Sequence, residues 1–118
     1  MQGSYIHFGL KYDGTLTANM VREFKAPFDL QLVAVTGQAS NTTSVIIDIG
    51  TAADTDAYLD GVTLTGATAV PTSWGLTDFV DDAYPKIPKD TVVQINIDYD
   101  GGAGGDGADV HLDLWFTY

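Results

Sequence analysis

The chain has 118 residues and a mass of 12.6 kDa, with 45% hydrophobic and 18% charged residues. That is enough apolar material to bury a core without staples, and too much for a disordered acidic tail. Sixteen acids against five bases leave a formal charge of −11 and an isoelectric point near 4.1, which argues against partners rich in phosphate, whether nucleic acid or anionic lipid.

Fifteen of the sixteen carboxylates are Asp and only Glu23 is Glu, so the acid belongs to turns and caps rather than to exposed helix faces. Alternation with period two recurs along the chain. Tyr5 to Tyr12 is predicted as a first strand. Thr15 to Phe24 returns beside it around the hairpin signal Asp13-Gly14, with Leu16, Ala18 and Met20 on one face. Ala26-Pro27 breaks the pattern, and a strand follows from Phe28 to Val35. Thr36 to Thr43 reads as a polar loop. Ser44 to Ile49 is the next strand, with Val45, Ile47 and Ile49 aligned, and Gly50 to Asp56 is a loop.

Ala57 to Thr65 is a weaker strand interrupted at Asp60-Gly61, and Trp74 to Val80 reads as a strand or a single helical turn. Pro85 and Pro88 bracket an extended connector that carries Lys86 and Lys89. Val93, Ile95, Ile97 and Tyr99 alternate with Gln94, Asn96 and Asp98. After the glycine-rich loop Gly101 to Gly107, Val110, Leu112, Leu114 and Phe116 alternate with His111, Asp113 and Trp115. These two runs read as a long closing hairpin. Seven or eight strands and no helix of usable length predict an all-β, antiparallel sandwich or jelly roll. One domain over residues 1–118 is expected, with residues 1–23 a partly separate N-terminal hairpin or arm.

With no Cys, disulfides and zinc–thiolate sites are excluded. No apolar run approaches the roughly 20 residues of a membrane helix. Met1 to Phe8 has neither the basic start nor the apolar centre of a signal peptide, and Asn41-Thr42-Thr43 fits a glycosylation sequon.

Candidate chemistry is sparse. Asp98, Asp100, Asp106 and Asp109 bracket the glycine loop, and Gly101 to Asp106 matches one copy of a calcium repeat that needs tandem copies to form a site. Asp54, Asp56 and Asp60 have the spacing of an EF-hand start but lack its glycine, its closing Glu and its helices. His7 and His111 stand at alternating strand positions. Ser4, Ser40, Ser44 and Ser73 have no nucleophile motif around them, and the glycine loop has no phosphate-binding lysine. No catalytic, cofactor-binding or metal-binding residue is therefore assigned. Trp115 shares the polar face of His111 and Asp113, where an aromatic marks either a binding surface or a covered face, and Trp74 fits a core anchor or a partner contact.

The run Ala26-Pro27-Phe28-Asp29-Leu30, the segment Gly50-Thr51-Ala52, Ile87-Pro88-Lys89-Asp90 leading into Val92 to Asp98, the glycine loop and Ala108-Asp109-Val110-His111-Leu112 together resemble small virion proteins of tailed bacteriophages, the β-sandwich or jelly-roll decoration and minor structural proteins. The resemblance covers about residues 24 to 118, is one of pattern, and brings no catalytic residues. Where such proteins more often carry Gly after the lysine, this chain has Asp90. It implies a non-enzymatic capsid decoration or cement protein of the virion, assembled in host cytoplasm. The major capsid protein or other virion proteins would be its partners. Self-association is expected, a trimer favoured by threefold sites, with neither nucleic acid nor membrane involved. Met1 to Glu23 lies outside the resemblance. The rival classes are a carbohydrate- or calcium-dependent binding module using Trp74 or Trp115, and a tail or baseplate component.

Overall fold

The structure, a computed structural model, describes residues 4–40, 45–64, 71–98 and 107–118. Among these residues nine strands form: β1 (Tyr5–Thr15), β2 (Met20–Lys25), β3 (Leu30–Gln38), β4 (Ile46–Gly50), β5 (Leu59–Thr63), β6 (Thr72–Trp74), β7 (Lys86–Ile87), β8 (Val92–Asp98) and β9 (Ala108–Thr117). Two short 3-10 turns, Leu76–Asp78 and Val80–Asp82, lie between β6 and β7. The all-β expectation holds. The stretch from Trp74 to Val80, left open between strand and helical turn, is the end of a strand followed by a turn.

The pairing follows one scheme. β1 pairs with β9, β2 with β8, β3 with β6 and β4 with β5, all antiparallel, so the chain doubles back as a ribbon of four strand pairs with its tip at β4–β5. Rolling that ribbon brings β9 against β3 and β8 against β4. Two sheets result, β1-β9-β3-β6 with β7 added on β3, and β2-β8-β4-β5. This is the jelly roll, two Greek keys face to face.

The hydrophobic rows explain why the roll closes. Val110, Leu112, Leu114 and Phe116 of β9 face Val93, Ile95 and Ile97 of β8, joined by Leu30, Leu32 and Val35 of β3 and by Ile47 and Ile49 of β4; all are buried. Each such side chain is worth roughly 1.5–3 kcal/mol when taken out of water. Strand propensity spans only about 1 kcal/mol, so the period-two rows and not local preference set the architecture.

Two sequence-based pairings and one loop assignment are corrected. The Asp13-Gly14 step does not make a hairpin: β1 continues to Thr15 against β9, while β2 lies in the other sheet. A bulge between Tyr12 and Thr15, with Gly14 at φ +93, turns the chain from one sheet to the other, so Leu16 and Met20 are buried while Ala18 is exposed. Likewise β8 and β9 are not a hairpin but central strands of opposite sheets. Thr36 to Gln38 is strand and not loop. An extra residue in β3, between Leu32 and Ala34, inverts the alternation, so Gly37 and Ala39 point inward where the sequence showed only polar neighbours.

Candidate functional site

Alternation that buries one side of β9 presents Asp109, His111, Asp113, Trp115 and Thr117 on the outer face of its sheet. Register then decides their neighbours. His7 of β1 lies across from Trp115, Gly9 from Asp113 and Lys11 from His111; on the other flank Ala34, Thr36 and Gln38 of β3 face Trp115, Asp113 and His111. The middle of this face is a carboxylate held between two imidazoles. His7 Nε2 lies 2.5 Å from Asp113 Oδ1 and His111 Nε2 lies 3.3 Å from Asp113 Oδ2. The His7 contact is a hydrogen bond, which a neutral ring makes as the Nε2–H tautomer, while His111 stands at ion-pairing distance from the other carboxylate oxygen. The His7 ring stacks on Trp115 at 4.4 Å between centroids, tilted by 31°.

Gly9 gives this arrangement room. A β-carbon there would sit 3.1 Å from His7 Cε1 and 3.2 Å from Asp113 Oδ1, in the space the pair occupies.

The chemistry of this cluster is limited. Both histidines address the same carboxylate, so its oxygens are spent on them rather than directed at a common third position. Among the described residues no set of three His, Cys, Asp or Glu side chains is arranged to hold a metal ion. A carboxylate orienting an imidazole is half of a nucleophile triad. Ser40, near the end of β3, gives its hydroxyl to Asp109 at 2.5 Å instead. The face is a rigid polar platform with one aromatic, Trp115, 39% exposed.

The remaining candidates are placed as follows. Trp74 is 6% exposed because its register against Val35 turns it into the core, so it cannot stack on a ligand. Asp54 and Asp56 lie in the loop after β4, where a hydrogen bond that the protonated Asp54 carboxyl gives to the Asp56 side chain, with desolvation and the Asp56 charge behind it, raises the Asp54 carboxyl above its ordinary range. Residues 99–106 lie outside the described residues, so Asp100, Asp106 and the glycine loop do too, as does the sequon at 41–43.

Asp109 serves the fold. Its carboxylate accepts the Ser40 hydroxyl and, at 2.7 Å, the Gly14 backbone N–H, and those two bonds lower its pKa. Sequence reasoning grouped it with a calcium loop; the structure uses it to tie β1, β3 and β9 together at one end.

One depression of about 150 Å³ lies on the face itself, between Thr36, Gln38, Pro71, His111 and Asp113, and others lie away from it. A groove of about 440 Å³ is lined by Leu30, Ile87, Pro88, Lys86 and Tyr118, with Phe28 against Tyr118 beside it, the ring centroids 4.7 Å apart and the planes inclined by 50°. Sequence patterning gave no signal for it, because it arises where the two-residue strand β7 docks on β3. A further depression of about 230 Å³ lies at the β1–β2 crossover, between Tyr12, Leu16, Met20 and Arg22.

No protein-family model and no curated protein matches the sequence. Among solved structures, a chain of the cyanophage Pam1 capsid asymmetric unit superposes with a TM-score of 0.55 at 14% identity, over 98% of this chain and 84% of that one. A chain of infectious bursal disease virus, Gx strain, is matched at 15% identity and a TM-score of 0.39, over 99% of this chain and 32% of that one, too loosely to add weight. At this identity the likeness to the cyanophage chain is one of fold, the same rolled sandwich along nearly the whole length of both chains.

Proposed function

We propose that this chain is a non-enzymatic virion structural protein, a capsid decoration or cement protein that seats on an assembled shell and stabilises it. The observation that carries the reading is the jelly roll itself, matched from end to end by a chain of a capsid asymmetric unit. The likeness takes in 84% of the matched chain, so it is not confined to a small module within a larger subunit. The outer face of the β1-β9-β3-β6 sheet is consistent with a binding role, its polar groups being locked to one another. Partners would be the major capsid protein or other virion proteins. Binding to the shell but not to dispersed subunits would stabilise the particle by mass action. A charge of −11 would hold the chain off the packaged genome. Self-association belongs to the reading, with a trimer suited to a threefold axis of the shell and a dimer to a twofold axis.

Quantitative mass spectrometry of purified virions carrying this chain tests the proposal. Copies in fixed proportion to the major capsid protein, in the hundreds per particle, are the expected result. A handful per particle would move the chain to the tail or baseplate, and absence from particles would overturn the virion reading.

A further inference from the structure

A sheet edge is a row of unpaired backbone donors and acceptors, and folded proteins usually shorten, bend or charge it. The two sheets have four edges among the described residues: β6 and β1 in one, β2 and β5 in the other. β6 is three residues long. β5 is five residues long and irregular, with Gly61 at φ +55 and a register shift against β4. β2 carries Arg22 in its inner row, opposite the buried Ile95, and Glu23 and Lys25 beside it. β1 is different. It has eleven residues, pairs only with β9, has no proline, and runs without irregularity from Tyr5 to Tyr12.

Its surroundings reinforce the contrast. Ile6, Phe8 and Tyr12 are half-buried, packed on the core but not covered, and Phe8 stacks on the half-buried Phe24 of β2 at 4.7 Å. An apolar seam therefore lines the side of the sandwich where β1 and β2 are the edges. The segment that holds β1 and β2 differs in charge too. Residues 1–27 hold Lys11, Arg22 and Lys25 against Asp13 and Glu23, a balance of +1, whereas residues 28–118 hold two bases against fourteen acids, or −12; the two sum to the chain's −11. Two copies that each carry −11 can approach with least repulsion through this side.

We infer that β1 pairs antiparallel with β1 of a second copy, about a twofold axis at Leu10. In that register Leu10 meets Leu10, Phe8 meets Tyr12, Gly9 meets Lys11 and His7 meets Asp13 of the other chain. No acid opposes an acid and no base a base, and the apolar row meets its own image. The pairing joins the two β1-β9-β3-β6 sheets into one continuous sheet and covers the seam from both sides. It rests on the fold alone, so a particle lacking this chain would leave it intact.

Sedimentation velocity over a concentration series, combined with amide hydrogen exchange, is the test. The expected result is a dimer of twice 12.6 kDa in which both alternating sets of β1 amides, those bonded to β9 and those at the edge, exchange slowly, the edge set only where the dimer is populated. Asp13→Lys, at an exposed side chain, is expected to weaken the dimer about tenfold while leaving the monomer's circular dichroism unchanged. A monomer at every concentration, a trimer, or a dimer whose β1 edge amides exchange freely would each overturn the inference. Protection of those amides only on adding shell protein would overturn it as well, assigning the edge to a strand of that other chain. The exchange measurement uses the unaltered chain, so it stands even where the variant fails to fold.

Discussion

Aspartate works in this molecule as a backbone residue. Asp29, Asp48, Asp78 and Asp109 each accept a backbone N–H, from Lys89, Gly61, Gly75 and Gly14 in turn. The non-glycine residues with positive φ among those described are Asp81, Asp82, Asp90 and Asp109. A short polar side chain that bonds locally tolerates the left-handed region better than most others, and Glu would not serve. Asp90, at φ +71, lies in the left-handed region that favours Gly, so the backbone accepts either residue. Asp90→Gly is therefore expected to be nearly neutral and Asp90→Ala to cost about 1 kcal/mol in urea unfolding.

Asp109 gives a pH signature. Its folded pKa lies below the ordinary 3.8, so the stability it contributes is complete above that value and is lost as pH falls through the lower folded one. Asp54 has the opposite sign: its raised pKa means that acidification toward 3.8 relieves its repulsion from Asp56. Thermal melts from neutral to strongly acidic pH should show a steeper acid loss for the native chain than for Asp109→Ala. The variant should also melt lower at neutral pH, with Asp109→Asn between the two.

At the scale of elements, the loop after β4 turns back so tightly that only glycine fits at its start. A β-carbon on Gly50 would meet the backbone of Asp54 and lie 2.6 Å from the Thr55 carbonyl carbon and 2.7 Å from the Ala57 nitrogen. Those atoms are main chain and cannot swing aside, so Gly50→Ala should cost about 3 kcal/mol or more, measurable by chemical unfolding. That constraint was invisible in the sequence, where Gly50 looked like an ordinary loop residue.

What was legible was alternation. The inward rows of β4, β8 and β9 are the ones period two predicts, and with them came the all-β class. What was not legible was which strand each row meets. Asp13-Gly14 and the glycine run have the chemistry of tight turns, yet the strands on either side of each lie in opposite sheets, and local chemistry does not distinguish the two cases. The bulge in β3 hid the inward phase of Gly37 in the same way. For the candidate site, the shared polar face of His111, Asp113 and Trp115 followed from β9 alone. His7 joined it only through a pairing 106 residues apart in sequence, which no local pattern carries.

For the whole molecule, that long-range pairing governs how folding proceeds. β9 is central in its sheet, bonded to β1 on one side and β3 on the other, so no sheet of that composition forms until the last strand arrives. Deleting residues 108–118 should leave a chain without cooperative thermal unfolding, because it removes a middle strand and the buried row from Val110 to Phe116. Refolding of the intact chain should fall in the millisecond-to-second range or slower, as for other folds dominated by non-local strands. Stopped-flow tryptophan fluorescence would record it, with buried Trp74 and half-exposed Trp115 as probes.

The same closure brings Tyr5 and Thr117 opposite one another in register. Any segment joined ahead of Tyr5 and any segment joined after Thr117 would therefore leave the roll from a single point. Cargo fused at either terminus would be presented in nearly the same place, and a short linker between the termini would allow the chain to be reopened at a distant loop without altering a single strand pair.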